Sequence, residues 1–342
     1  MNSFTSPNQL LAYRPWLDGL RAVAIILVFL EHTNKFKSYP LGPIGVGLFF
    51  ALSGYLISGL LLSELNKSGQ INLLSFYMKR LGRLMPGLFL SVFVCSLIFI
   101  LLHMKRDAFN GIFALTYTTN FAAIYYGHHL SGFGHTWSLA VEEHFYIIWP
   151  LLMGYLFSRF KLKGLLIGSL SASLFVLVWR FFLDQIGINK IVFYLGTIER
   201  LDAIMYGCFV MFLLHDGWKP KIGHLLIGIL LMALYAFKQV PLPNVLNSTV
   251  IGISGALIVC SIDSRVIPIV NDVLSSKIMV TLGLLSYSLY LWHLPIFKIV
   301  DTFISPSWIN ILVSIAITSI VACVSYFYFE MPLRGYFRRK YS

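Results

Sequence analysis

Two residues suited to handling protons and oxyanions, Arg21 and His32, lie in one apolar stretch, LDGLRAVAIILVFLEHTN, residues 17–34. They are eleven residues apart. At about 100° per residue that is three turns, which returns both side chains to within roughly 20° of one helix face. The rise between them is about 16 Å, half the hydrocarbon thickness of a bilayer. Histidine suits general-base work near neutral pH, and a guanidinium suits a developing oxyanion or an anionic substrate group. Asp18 and Glu31 add two more ionisable groups. Each costs a few kcal/mol in hydrocarbon unless it faces protein or water. Two readings follow. Either these groups mark a site inside a helical bundle, or Arg21 snorkels inward while His32 sits at the outer interface.

Further stretches carry chemistry-bearing residues at suggestive spacings. In GVGLFFALSGYLISGLLLSE (residues 45–64), glycines and serines make a surface for close helix packing. In the alternative reading, Ser53, Gly54 and Tyr55 line a narrow path for a thin substrate. In FYMKRLGRLMP (76–86), Arg80 and Arg83 stand at i and i+3 beside Lys79, with Pro86 expected in the first turn of a span. Such a cluster holds either lipid head groups or a phosphorylated ligand, whose geometry guanidinium groups match. HTWSLAVEEHFYIIWP (135–150) brings His135, Glu142, Glu143 and His144 to the entry of a span. Its spacing matches no HExxH pattern, so no metal site is expected. ERLDAIMYG (199–207) places Glu199, Arg200 and Asp202 in a span, where internal ion pairing between helices is expected. SYSLYLWHLP (286–295) puts Tyr290 and His293 on one helix face, with Tyr287 nearby. Glu330 ends the last span, in SYFYFEMP (325–332).

The elements that must position these residues are apolar helices. The 342 residues are 58% hydrophobic and 12% charged, about half the charged fraction of a soluble domain. Segments of about 20 apolar residues recur from end to end. The expected fold is therefore an all-α polytopic membrane protein, a single domain over 1–342. Its roughly ten spans are placed at 16–34, 44–63, 84–103, 137–158, 164–184, 192–215, 222–239, 247–262, 278–299 and 308–330. No cleavable signal peptide is apparent, so 17–34 is expected to be retained as the first span. The four cysteines fall in apolar spans without paired spacing and read as small buried residues. With the N-terminus placed in the cytoplasm, sixteen Lys and Arg fall inside and seven outside, which favours two cytoplasmic termini. Residues 109–127 are apolar enough to tempt, but a full span there would erase that bias. They are expected to be re-entrant or interfacial. The net charge of +12 lies in links between spans, so nucleic acid is not an expected partner.

Taken together and in order, LDGLRAVAIILVFLEH, GVGLFFALSGYLIS, FYMKRLGRLMP, HTWSLAVEEHFYIIWP, RLDAIMYG, SYSLYLWHLP and YFYFEMP resemble the bacterial membrane acyltransferase family 3. These are O-acetyltransferases that modify cell-surface sugars. Each piece is weak alone, but seven in order from Leu17 to Pro332 are specific. The resemblance implies a multi-pass protein of the bacterial cytoplasmic (inner) membrane. It implies acyl-CoA, usually acetyl-CoA, as donor substrate, with no permanently bound cofactor. The acceptor is a hydroxyl on an extracytoplasmic glycan or lipid-linked saccharide, and membrane lipids surround the site. The resemblance also implies that Arg21 and His32 are the central catalytic pair, with Glu142 as a carboxylate beside them. Arg80 and Arg83 then serve the CoA end, with Lys79 adjacent, and Glu330 is a supporting carboxylate. Asp18, Tyr290, His293, Arg200 and Asp202 are further supporting residues. Two departures stand out: Lys79 where arginine is common, and His144 where glutamine is. The residues themselves leave direct transfer and an acyl-histidine relay both open. A different class of function, a proton-coupled transporter or lipid flippase, would also need buried ionisable groups, but no inverted repeat is visible.

Overall fold

The computed structural model describes residues 13–33, 36, 38–126, 130–237 and 243–341. The expected spans touch the remaining residues at Asn34 and at 238–239. The polar N-terminal stretch (1–12), Lys35, Lys37 and 127–129 also lie outside the described residues. Among the described residues every regular element is helical: α1 (Pro15–His32), α2 (Leu41–Ser68), α3 (Leu73–Leu101), α4 (Lys105–Leu115), α5 (Thr119–Tyr125), a 3-10 turn (Gly134–Thr136), α6 (Trp137–Gln185), α7 (Lys190–Leu195), α8 (Thr197–His215), α9 (Ile222–Ala236), α10 (Asn244–Asp263), α11 (Pro268–Leu274), α12 (Lys277–Asp301), α13 (Trp308–Ser325), a π-helical turn (Tyr326–Glu330) and α14 (Met331–Lys340).

Six stretches among the described residues are long and apolar enough to cross a membrane. They comprise α2, α3, α10, α12, the 3-10 turn with α6, and α13 through α14. Helices α1 and α8 are not among them. Each carries three charged side chains: Asp18, Arg21 and Glu31 in one, Glu199, Arg200 and Asp202 in the other. α6 is two helices joined at Lys161, whose φ of 52° breaks the helical path. That break falls between the expected fourth and fifth spans. Of the stretch 109–127, the described residues 109–126 fall in two short helices, α4 and α5, and the turns beside them, with a break at Tyr117 (φ 53°). Neither is long enough to cross about 30 Å of hydrocarbon at 1.5 Å per residue. The third span begins earlier than its expected start at 84. α3 opens at Leu73, capped by the Asn72 side chain, so Lys79, Arg80 and Arg83 are helical and Pro86 lies inside the helix rather than in its first turn.

The chain divides into two compact units. The first takes residues 1–31, 35–71 and 144–284. Its centre is α2, buried along most of its length against α8 and α10. The contact is made by missing side chains: a Cβ on Gly54 would stand 2.0 Å from the Ile204 carbonyl oxygen, and one on Gly207 2.1 Å from that of Ala51. The small-residue stripe is thus a helix-packing surface, as its composition suggests. The ion pairing expected for 199–202 also joins helices, but with a different cation. Asp202 bonds Arg180 of α6 at 2.6 Å, with both side chains fully buried, and accepts from Ser248 (2.7 Å) and Thr249 (2.8 Å) of α10. Arg200 instead lies over the rings of Phe50 and Tyr194.

The second unit takes 32–34, 72–143 and 285–342. It holds α3, α4, α5, the 3-10 turn, the first residues of α6, most of α12, α13 and α14. α3 turns Phe89, Phe93, Leu97 and Ile100 outward at spacings of three and four, an apolar stripe suited to lipid. The far end of α12 is tied to α4 by Lys298 and Asp107 (2.6 Å), both partly buried.

Candidate active site

His32 is the last residue of α1 and belongs with the second unit. Its ring meets that of His293 nearly edge-on, with centroids 5.0 Å apart. His293 in turn meets His135 at 4.9 Å. His135 comes from the 3-10 turn that opens α6, and His293 from the middle of α12; both are buried. Tyr290 lies one turn before His293, and its ring lies 5.1 Å from that of His135. The face shared by Tyr290 and His293 therefore receives the third histidine. The Tyr290 hydroxyl donates to the His135 carbonyl oxygen (2.6 Å), so it accepts from Ser138 at 2.8 Å. That pair of bonds fixes the turn on which His135 stands. No group of three histidine, cysteine or acidic side chains among the described residues is arranged to hold a metal ion.

One to two turns back along α12 lies a second polar cluster. Tyr287 donates to the Leu84 carbonyl oxygen at 2.6 Å, holding the backbone of α3 next to Arg83. Ser288 donates to both oxygens of Glu330 (2.7 and 2.8 Å), and Ser325 adds a third bond at 2.7 Å. Glu330 closes the π-helical turn. A π turn redirects side chains from the ordinary helical register, which here points a carboxylate inward. Arg80 pairs with Glu143 at 3.5 Å, and Arg83 lies within electrostatic reach of both Glu143 and Glu330. Helix α12 thus carries both clusters. The residues that touch them, Tyr287 and His293, are separated by about 9 Å of helical rise.

The other sequence candidates are placed as follows. Arg21 bonds Asp18 at 2.6 Å, one turn earlier on the same helix. Tyr55 is buried and donates to Asp263, which also accepts from Trp16 (3.0 Å) and Arg14. Ser53 and Glu142 are half-buried, and Lys79 is exposed. Of the two adjacent carboxylates, Glu143 pairs with Arg80. His144 bonds Thr197 at 2.8 Å in the first unit. Sequence reasoning passed over His135, Glu143, Tyr287 and Ser288 as site residues. His135 and Glu143 lay in a motif already singled out. Only the fold, which brings residues 135 and 293 together, separates them from their neighbours.

Membrane-length helices holding a histidine cluster and an arginine–glutamate cluster define a class, and comparison with known proteins agrees with it. The chain belongs to the acyltransferase domain family (acyltransferase 3), which matches residues 14–330. Family membership and six membrane-length helices among the described residues make it a multi-pass membrane protein carrying an acyltransferase domain. Among its relatives is the O-acetyltransferase OatA of Staphylococcus aureus strain NCTC 8325 / PS 47, 33% identical over 346 residues. The OatA of strain MRSA252 matches equally, at 33%. Each alignment covers 94% of this chain and 57% of the relative, so the chain spans just over half the length of the proteins it matches. No solved structure matches it significantly.

Proposed function

We propose that the chain transfers an acyl group, acetyl in the simplest case, from acyl-CoA to a hydroxyl of an extracytoplasmic or lipid-linked glycan. In this reading it crosses the bacterial cytoplasmic membrane about ten times with both termini inside. The relatives named as O-acetyltransferases support the group transferred. The observation that supports the mechanism is that both polar clusters lie along α12, one with His293 and His32 and one beside Arg83 and Arg80; we read the first as the proton-handling end and the second as the phosphate-binding end. The arginines take the phosphates of the donor, and the adjacent Glu143 and Glu330 hold them in place when the donor is absent. His32 accepts the proton of the acceptor hydroxyl as its oxygen attacks the thioester carbonyl. The C–S bond then breaks, and the thiolate leaves with the proton that His32 took. Arg21, held by Asp18, is a network residue on the same helix rather than a group at the reacting carbon.

Acetyl-CoA labelled in the acetyl group tests this with the full chain in lipid nanodiscs. Label appearing as an alkali-labile ester on envelope glycan, with release of free CoA, supports transfer. No CoA release, together with substrate flux into sealed vesicles, would replace the enzyme with a carrier.

A further inference from the structure

Helix α14 packs on α3 at the basic cluster. Phe337 fills the space that a side chain at Gly82 would need, since a Cβ there would collide with its ring. Glu330 lies in the same way against Gly87, and the Ser75 hydroxyl donates to the Tyr341 carbonyl oxygen at 2.6 Å. The pairs 87 with 330, 82 with 337 and 75 with 341 run in opposite senses, so the two helices are antiparallel. The seat of Phe337 then decides where the flanking cations point. At about 100° per residue, Lys79 and Arg83 lie about 60° and 100° round α3 from Gly82. Arg334 and Arg338 lie about 60° and 100° round α14 from Phe337, in the same rotational sense. Between antiparallel helices that sense is the same side of the contact, so both pairs line one groove. Lys79, Arg334 and Arg338 are exposed at its rim, while Arg80 and Arg83 are half-buried beside Glu143 and Glu330. The remaining cations of α14 go elsewhere. Lys340 lies over the rings of Tyr336 and Tyr341 (5.7 and 5.5 Å), and Arg339 is on the side away from α3.

We propose that Arg334 and Arg338 of α14, together with Lys79, form the subsite for the 3′-phosphate of the donor coenzyme A. This rests on the reading of the donor as acyl-CoA and divides its phosphates between two sets of cations. CoA carries two separate anionic groups: a diphosphate on the way to the thioester, and a phosphate monoester on the ribose. The thioester end must reach inward along α12 toward His293 and His32. The diphosphate therefore meets the half-buried Arg80 and Arg83, and the ribose end stays at the exposed rim. A phosphate monoester carries a charge of about −1.5 to −2 at pH 7 and presents three strong acceptor oxygens. Two guanidinium groups and an ammonium converging from two helices match that group. Lipid head groups offer similar phosphate chemistry, and the test separates the two sources.

The test compares binding of acetyl-CoA and of acetyl-3′-dephospho-CoA to the full chain in nanodiscs of zwitterionic lipid. Wild type should bind acetyl-CoA about tenfold or more tightly than the dephospho form. In the Arg334→Gln/Arg338→Gln double variant that preference should shrink to within about twofold, through loss of acetyl-CoA affinity alone. Its unfolding temperature should stay near wild type, because both side chains are exposed. The Arg80→Gln/Arg83→Gln variant should instead weaken both ligands and keep the preference. Arg339→Gln, which removes a charge from the far side of the same helix, should change neither affinity. A double variant that keeps the wild-type preference would overturn the proposal and assign the two arginines to lipid head groups. Equal loss of both ligands, or an Arg339→Gln effect as large as that of the pair, would overturn it too. A wild type that binds neither ligand would remove the acyl-CoA donor itself, and this subsite with it.

Discussion

Asp202 and His293 are both polar groups buried in apolar helices, yet the two regions treat them in opposite ways. Around Asp202 every partner is a saturating one: Arg180, Ser248 and Thr249 converge on one carboxylate, and the oxygen that Ser248 bonds also takes the Ala203 N–H at 2.9 Å. A guanidinium holds its protons at neutral pH, so this network ties α6, α8 and α10 together with a fixed ion pair. Around His293 the partners are imidazole rings, whose nitrogens donate or accept a hydrogen bond according to tautomer. The arginine–glutamate cluster is of a third kind, with two arginines set among acidic side chains; in the proposed function a donor phosphate displaces the latter. Buried charge alone therefore does not identify a site. The kind of partner does.

Breaking the closed network should have the largest effect. Arg180→Leu leaves the Asp202 carboxylate buried without its cation and is expected to cost about 3–5 kcal/mol, enough to prevent accumulation of folded chain. Detergent-solubilised yield and thermal unfolding would measure this. Stability near wild type would mean that the network is no keystone of the first unit. At the donor end, Arg80→Gln and Arg83→Gln should each weaken acetyl-CoA binding by about 1.5–3 kcal/mol, read by calorimetry with expression unchanged. Unaltered affinity in the double variant would return both residues to lipid head groups. The smallest effect is expected from Ser288→Ala. Glu330 keeps its bond from Ser325, so the loss should be near 1 kcal/mol in unfolding free energy with only a modest rise in KM for the donor.

How far the sequence reached follows from what each signal encodes. Helical class and the Tyr290–His293 face are local properties, set by hydropathy and by 3.6-residue periodicity, and both were readable. The break at Lys161 lay between two expected spans because a short basic link separates two apolar runs. The start of α3 was misplaced because Pro86 imitates a first-turn proline, while the Asn72 cap that begins the helix is separated from the apolar run by the basic cluster. Partner choice was not local. Asp202 stands two residues from Arg200, but its cation is Arg180, on another helix. Glu142 and Glu143 are indistinguishable by composition; only the direction of α6 sends Glu143 to Arg80. His135 likewise gains meaning from residue 293, far away in the chain.

The central claim is that His32 is the base, and one measurement addresses it directly: turnover of acetyl-CoA by folded His32→Gln chain in nanodiscs across pH, beside wild type. Wild-type turnover should fall once the pH is low enough to protonate the His32 ring, because a protonated ring cannot take the hydroxyl proton. The variant should retain acetyl-CoA binding while losing about 10²–10⁴-fold in transfer, and that limb should vanish from its profile. A variant that binds donor and keeps more than about a tenth of wild-type turnover, with the acid limb intact, would contradict the account.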